Sequence, residues 1–427
     1  MTDSKRRKGF IATAALAGGV VVLSACGSAS GVGGDSHASS GSTPAHEKSQ
    51  QVDEAAAQDA SDAKIKITPK DGASTAGISK DAKVTVKSGK LTSVTMTAVE
   101  SKKSVGGTLS ADGASWTPSS DLARATKYKI TAHAVDSAGR KAVENSTFTT
   151  VSPANSFIGT FTPEDGATVG VGMPVSIHFD KPVKDKKAVE SAITVASSSN
   201  QKAVGHWFDD TRLDFRPQEY WKAHSGITVK LALDGVQASP GVQGIQNKTF
   251  HFNVGRSQVS TVDAKTHLMT VVRDGRTLKT IPVSAGSDDH PTYNGRMVIS
   301  EKYEQTRMDG STVGFTNNDG EGEYDIPDVP HAMRLSTSGT FIHGNYWGKG
   351  IFGAVNTSHG CIGLADAKGA GDPSTDGAWF YDHSLIGDVV TMVNSPDRTV
   401  QPDNGLNGWN MDWQRWIAGS ALGGAAS

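Results

Sequence analysis

The chain has 427 residues, 36% of them hydrophobic and 20% charged, with a formal net charge of −2. That length suits about three domains, and the composition excludes a mostly disordered chain and a nucleic-acid binder, which would need a basic excess. Its two cysteines, Cys26 and Cys361, exclude a disulfide framework and any zinc site built from several thiolates.

Lys5, Arg6, Arg7 and Lys8 precede a largely apolar run over residues 9–25. The run is shorter than the roughly 20 residues a spanning helix needs, and it has the layout of a secretory signal. It ends in Leu23-Ser24-Ala25-Cys26-Gly27, which resembles a bacterial lipobox. By that resemblance residues 1–25 are a signal peptide and Cys26 is the lipidated first residue of the mature protein. The membrane partner is then a lipid anchor on the outer face of the plasma membrane. An uncleaved anchor helix is the alternative. Residues 26–63 are rich in Ser, Gly, Ala, Asp and Gln and nearly devoid of large apolar side chains. Such a segment buries too little to offset its ordering entropy, so it reads as a tether.

An internal repeat follows. Thr68-Pro69-Lys70-Asp71-Gly72-Ala73 recurs as Thr162-Pro163-Glu164-Asp165-Gly166-Ala167, and Asn145-Ser146-Thr147-Phe148 as Asn247-Lys248-Thr249-Phe250. Two similar units of roughly 95 residues are implied, assigned to 64–152 and 153–254. Apolar residues alternate at Val94, Met96, Ala98 and at Tyr128, Ile130, Ala132, the period of half-buried strands. With frequent turn residues between them, this predicts two immunoglobulin-like β-sandwiches in a mainly β protein. Trp116, Trp207 and Trp221 are expected as core packing. Neither unit shows a cluster of chemistry-bearing residues, so both are expected to act as spacers.

The pattern changes near residue 255. Residues 266–272 and 277–283 read as strands around Asp274-Gly275, a hairpin signal. Residues 296–300 read as another strand. Residues 301–330 are polar and Gly-rich, a long segment of the kind that forms lids. Then come Thr340-Phe341-Ile342-His343-Gly344 and Ser358-His359-Gly360-Cys361-Ile362. A free thiol has a pKa of about 8.5, so little of it is thiolate at neutral pH unless an imidazole takes the proton. Gly360 lets a substrate approach closely. His359 and His343 are both candidate bases. With no acidic residue beside them, a backbone carbonyl is the expected orienter. A metal site and a buried structural cysteine are the competing readings. No Asp, Glu or third His stands at ligand spacing, so no metal is expected.

The two histidine motifs in this order and spacing resemble the signature of the L,D-transpeptidases of peptidoglycan, over residues 255–394. The resemblance implies a β-sandwich-like catalytic domain with short helices, Cys361 as nucleophile, His343 as base and His359 as a supporting histidine. It further implies the Gly344 carbonyl as orienter and the Gly360 and Cys361 N–H groups as oxyanion donors. Tyr324, Met333, Trp347 and Ser358 match lid and pocket positions. The implied reaction joins two peptidoglycan stem peptides in a 3→3 cross-link with release of D-alanine, without a cofactor, and carbapenems would acylate the same thiol. Gly363 stands where the family commonly has Arg or Asn. An L,D-carboxypeptidase and a non-catalytic wall-binding lipoprotein are the alternatives. Residues 395–427 carry Trp409, Trp413 and Trp416, spaced as one helix face and expected to pack on the catalytic domain.

Overall fold

The first sandwich is built from the alternation seen in the sequence. In the computed structural model Lys90–Ala98 pairs antiparallel with Lys127–Val135, setting Val94 opposite Ala132, Met96 opposite Ile130 and Ala98 opposite Tyr128. The inward members join Val84, Leu91, Trp116 and Phe148 in one core between two four-stranded sheets. The structure describes residues 60–79, 82–319 and 321–423. Cys26, the leader and most of the tether lie outside the described residues.

The second sandwich follows the same logic with a larger core. Ile177, Phe215, Trp221, Phe250 and Phe252 fill it, and the Trp221 indole donates to the Met173 carbonyl at 2.6 Å. Trp116, Trp207 and Trp221 are all buried, as expected.

Residues 258 onward form a nine-stranded sheet. Edge to edge its strands are Gly295–Val298, Val389–Val393, Gln258–Asp263, Leu268–Arg273, Arg276–Ser284, Ile362–Ala365, Phe341–Asn345, Asp325–Arg334 and Glu301–Asp309. The predicted hairpin is present, with Asp274 and Gly275 both at positive φ in its turn. Val271, Ile281, Met297, Ile342, Ile362, Leu364 and Met392 pack together from both ends of the sheet, so the sheet folds over a core of its own. The short helix Asp376–Asp382 contributes Phe380 to that core.

Two expectations are corrected here. Residues 301–330 are not one irregular lid: Glu301–Asp309 and Asp325–Arg334 pair as a long hairpin, and only its tip leaves the sheet. Glu301–Asp309 is the sheet's edge, where polar side chains suit the strand's position by discouraging further pairing. The tail is not one helix on the catalytic domain either. Gly408–Asn410 and Trp413–Ala418 are separate turns, and their tryptophans pack on the second sandwich. The Trp409 indole donates to the Gly172 carbonyl at 2.7 Å and the Trp416 indole to the Val204 carbonyl at 2.9 Å. The Arg216 guanidinium lies 4.7 Å from the Trp409 ring centre and 4.3 Å from that of Trp416. Buried Glu190 accepts from the Trp207 indole, the Ser420 hydroxyl and the Ala421 N–H. Asn407 and Asn410 meanwhile accept from the N–H groups of Val298 and Arg296 in the catalytic sheet.

The second sandwich and the catalytic sheet therefore share a core, with Val298, Leu406 and Trp409 among the sandwich's buried residues. Their backbones also meet directly, Gly170 and Gly172 donating to the carbonyls of Ile386 and Gly387. A Cβ at Gly170 would come within 2.3 Å of the Asp388 nitrogen, so the approach needs glycine. The second sandwich is thus more than a spacer.

Trp416 is fully buried, so Trp416→Ala should cost about 3–5 kcal/mol. That corresponds to a thermal midpoint lower by on the order of 10 °C, readable by scanning calorimetry. An unchanged midpoint would mean that the tail does not help hold the two parts together.

Candidate active site

The site is set by one strand pair. Phe341–Asn345 runs parallel to Ile362–Ala365, with Ile342 opposite Ile362 and His343 opposite Gly363. Side chains alternate across a sheet. Ile342 and Ile362 both enter the core, so His343 and Asn345 share the other face with Gly363 and with Cys361, one residue before the strand. His343, Asn345, Cys361 and Gly363 all line one cavity.

The Cys361 Sγ accepts from the Phe341 N–H at 3.4 Å and lies 3.6 Å from the Gly339 carbonyl. Burial pushes the thiol up to about 11, offset in part by the Phe341 N–H. The His343 Nδ1 lies 2.8 Å from the Gly344 carbonyl oxygen. A carbonyl only accepts, so Nδ1 carries the proton and Nε2 is left as the acceptor. Burial holds the imidazole below its ordinary value, against the raising effects of that hydrogen bond and of Asp366. The resting pair is a neutral thiol and a neutral imidazole.

Tyr324, Trp347, Ser358 and His359 also line the cavity, whose volume is about 190 Å³. The Trp347 ring stacks on His343, with centroids 5.8 Å apart. The Tyr324 hydroxyl is pushed up to about 12, first by burial and then by the negative charge that Cys361 carries once it ionises. Ser358 Oγ accepts from the Gly360 N–H at 3.2 Å and donates to the Cys361 carbonyl. His359 is turned toward the hairpin tip, its Nε2 3.1 Å from Glu323 Oε2 and its ring centre 5.0 Å from that of Tyr324. Met333 is not in the pocket. It pairs with Ile342 and shares that residue's buried face, in the core. Met308 and Ile326, lower on the same hairpin, line the cavity instead.

Several site residues carried no clear sequence signal. Asn345 was legible in principle, two residues after His343 on the same strand, and its Oδ1 accepts from the N–H groups of Trp347 and Gly348. Ser284 arrives from a distant strand, and Thr357 directly precedes Ser358 in the turn that presents Cys361. Asp366 lies beneath the orienting turn, where a Cβ on Gly344 would come within 1.9 Å of its Oδ2. Its carboxylate is fully buried and takes the Nδ1 of His331 at 2.8 Å and the hydroxyl of Thr375 at 2.9 Å. At Gly363 a Cβ would meet the Asn345 Nδ2 at 3.4 Å, so Asn345 borders the space that a longer side chain at 363 would enter.

A thiol and a carbonyl-oriented imidazole on one pocket face define a cysteine-nucleophile enzyme. The sequence places it more closely. Residues 257–392 match the L,D-transpeptidase catalytic domain, and residues 73–237 match a bacterial Ig domain. L,D-transpeptidase 2 of Mycobacterium tuberculosis (strain CDC 1551 / Oshkosh) is 34% identical over 358 residues, spanning 84% of this chain and 85% of that protein. L,D-transpeptidase 5 of Mycobacterium tuberculosis (strain ATCC 25618 / H37Rv) is 32% identical, spanning 75% of this chain and 69% of that protein. A solved structure of Mycobacterium tuberculosis L,D-transpeptidase 1 is 28% identical and matches 57% of this chain and 100% of that one, with a TM-score of 0.42. The chain belongs to the L,D-transpeptidase family, and it is an enzyme of that family.

The pH dependence separates the two histidines. With His343 held low, the rate of Cys361 acylation should rise through a midpoint below about 6.5 and stay flat through neutrality, read by intact mass against time. His343→Ala should lower the neutral rate by about 10²–10⁴-fold and climb with pH toward thiol ionisation. His359→Ala should slow acylation with the wild-type profile kept. Exchanged profiles would exchange the roles.

Proposed function

We propose that this enzyme forms 3→3 cross-links between tetrapeptide stems of peptidoglycan. The carrying observation is the His343–Cys361 arrangement, with Nδ1 of the imidazole fixed by the Gly344 carbonyl. His343 Nε2 takes the thiol proton as Sγ attacks the carbonyl of the third stem residue. The bond to D-alanine breaks and His343 returns the proton to the leaving amine, giving a thioester on Cys361. The side-chain amine of a second stem then attacks the thioester. Its proton passes to His343, the amide forms and the thiol is restored. The Gly360 N–H is already donated to Ser358, which makes the Cys361 N–H the readier oxyanion donor of the two.

A second cavity supports two separate substrate approaches. It lies along the same hairpin, at about 320 Å³, and is lined by Gly339 and Phe341, the two residues that hold the thiol. Tyr324 and Met308 border both cavities. Carbapenems would acylate the same thiol. A solved structure of the L,D-transpeptidase designated LdtMt1 holds imipenem; it is 29% identical, matches 56% of this chain and 100% of that one, and has a TM-score of 0.46.

With a disaccharide-tetrapeptide, wild type should show a thioester adduct on Cys361 and a cross-linked dimer by mass spectrometry. Cys361→Ser should show neither. Trimmed tripeptide without dimer, in the presence of acceptor, would establish an L,D-carboxypeptidase instead.

We further propose that Cys26 carries the lipid anchor and that the tether and first sandwich carry the site out from the outer face of the plasma membrane. The support is the lipobox-like sequence alone. One acyl chain holds weakly and two hold stably, at about 0.8 kcal/mol per buried CH₂. Cys26→Ala should move the protein out of the membrane fraction or leave it unprocessed. Wild-type fractionation and migration would end that reading.

A further inference from the structure

Three side chains from distant parts of the chain converge at the mouth of the thiol pocket. His290 lies in the loop after the strand Arg276–Ser284, Glu323 lies in the hairpin tip, and His359 lies in the turn that presents Cys361. Glu323 Oε2 is 3.1 Å from His359 Nε2 and 3.7 Å from His290 Nε2. The two imidazoles stack with centroids 4.9 Å apart and planes 22° from parallel. One ligand atom from each residue falls within 4.8 Å of the others. Each side chain is about one-third exposed, so the cluster is open to solvent yet held in place. Phe315 packs edge-on against both rings.

We propose that His290, Glu323 and His359 form a binding site for a divalent transition metal of the zinc class, one whose occupancy clamps the hairpin tip over the pocket. Two imidazoles and one carboxylate are a donor set that zinc takes with a water in fourth position. Bonds of about 2.0–2.1 Å at tetrahedral angles put ligand atoms about 3.3 Å apart. The 3.1 and 3.7 Å separations from Glu323 bracket that value, and the third separation lies within 4.8 Å, so side-chain adjustments would bring the atoms onto an ion. Stacked rings with both Nε2 atoms facing one carboxylate oxygen already have the needed convergence.

The consequence follows from where the ligands sit. His290 and His359 belong to the body that carries Cys361, and Glu323 belongs to the tip. A bound ion would tie the tip to both, and with it Tyr324, the next residue and a wall of the cavity. The ion plays no part in the acyl transfer. It would regulate entry, slowing a bulky acyl donor without touching the nucleophile. Sequence spacing hid the cluster, because its members are more than 30 residues apart in the chain.

The test is calorimetric titration of the full chain with zinc, carried out in a Cys361→Ser background so that the thiol cannot serve as ligand. That background cannot acylate, so the result stands apart from the acyl-transfer reading. One ion per chain should bind, and His290→Ala or Glu323→Gln should each weaken binding at least tenfold, with circular dichroism showing both variants folded. Zinc should also slow carbapenem acylation of the Cys361 enzyme at least tenfold, and slow the His290→Ala enzyme far less. Absent binding in the Cys361→Ser chain, or equal binding in folded His290→Ala, would overturn the site. Binding without any change in acylation would overturn the clamp.

Discussion

The parallel register that sets Ile342 opposite Ile362 governs the chemistry of this protein. Both isoleucines are fully buried, and each contributes roughly 1.5–3 kcal/mol by leaving water. Because side chains alternate, the same pairing fixes His343 and Cys361 on the opposite face. A slip of one residue would drive an imidazole or a thiol into the core and bring an isoleucine to the pocket. The core therefore enforces the site's geometry, although no core residue touches a substrate. Beneath the strands Asp366 extends this control. Its buried carboxylate packs against Gly344 so closely that no side chain fits there, which confines the carbonyl that orients His343.

A second constraint joins the catalytic sheet to the sandwich before it. The tail crosses from one to the other and supplies each with groups it lacks: indoles for the Gly172 and Val204 carbonyls on one side, Asn407 and Asn410 for the strand Gly295–Val298 on the other. Arg216 shows how tightly this seam is closed. Burial brings its guanidinium down to about 10, while three tryptophan rings stack around it. Arginine suits such a place because its planar, weakly hydrated cation packs on aromatic faces. Among the described residues, the first sandwich has a closed core of its own.

What was legible in the sequence follows these physical lines. Alternation at Val94–Ala98 and Tyr128–Ala132 announced strands, and the two runs are each other's partners. Asp274-Gly275 announced its hairpin. The thiol and both histidines were legible because their chemistry is rare and their motifs contiguous. The misplaced parts were decided by tertiary context. Glu301–Asp309 lacks an apolar stripe since it is an edge, so composition alone resembles a loop. Met333 was assigned by motif position, whereas its partner Ile342 decides the face. Trp409, Trp413 and Trp416 fit a helical period, yet the burial of Trp409 and Trp416 is settled by acceptors on a different domain. His290 and Glu323 were invisible because only the folded hairpin brings them to His359.

The division of labour between the two histidines then has an electrostatic rationale. Burial pushes the Cys361 thiol well above its ordinary value, which favours the protonated form at neutral pH. The proton must move during attack, to an acceptor that is itself uncharged. His343 meets that requirement because burial disfavours its cationic form and the Gly344 carbonyl aims the free nitrogen. His359 is engaged with Glu323 of the hairpin tip, a partner that fixes its ring toward the entrance. One imidazole is thus buried and carbonyl-bound, suited to carry a proton. The other is partly exposed and carboxylate-bound, suited to hold the hairpin tip in place while acyl donor and acceptor come and go.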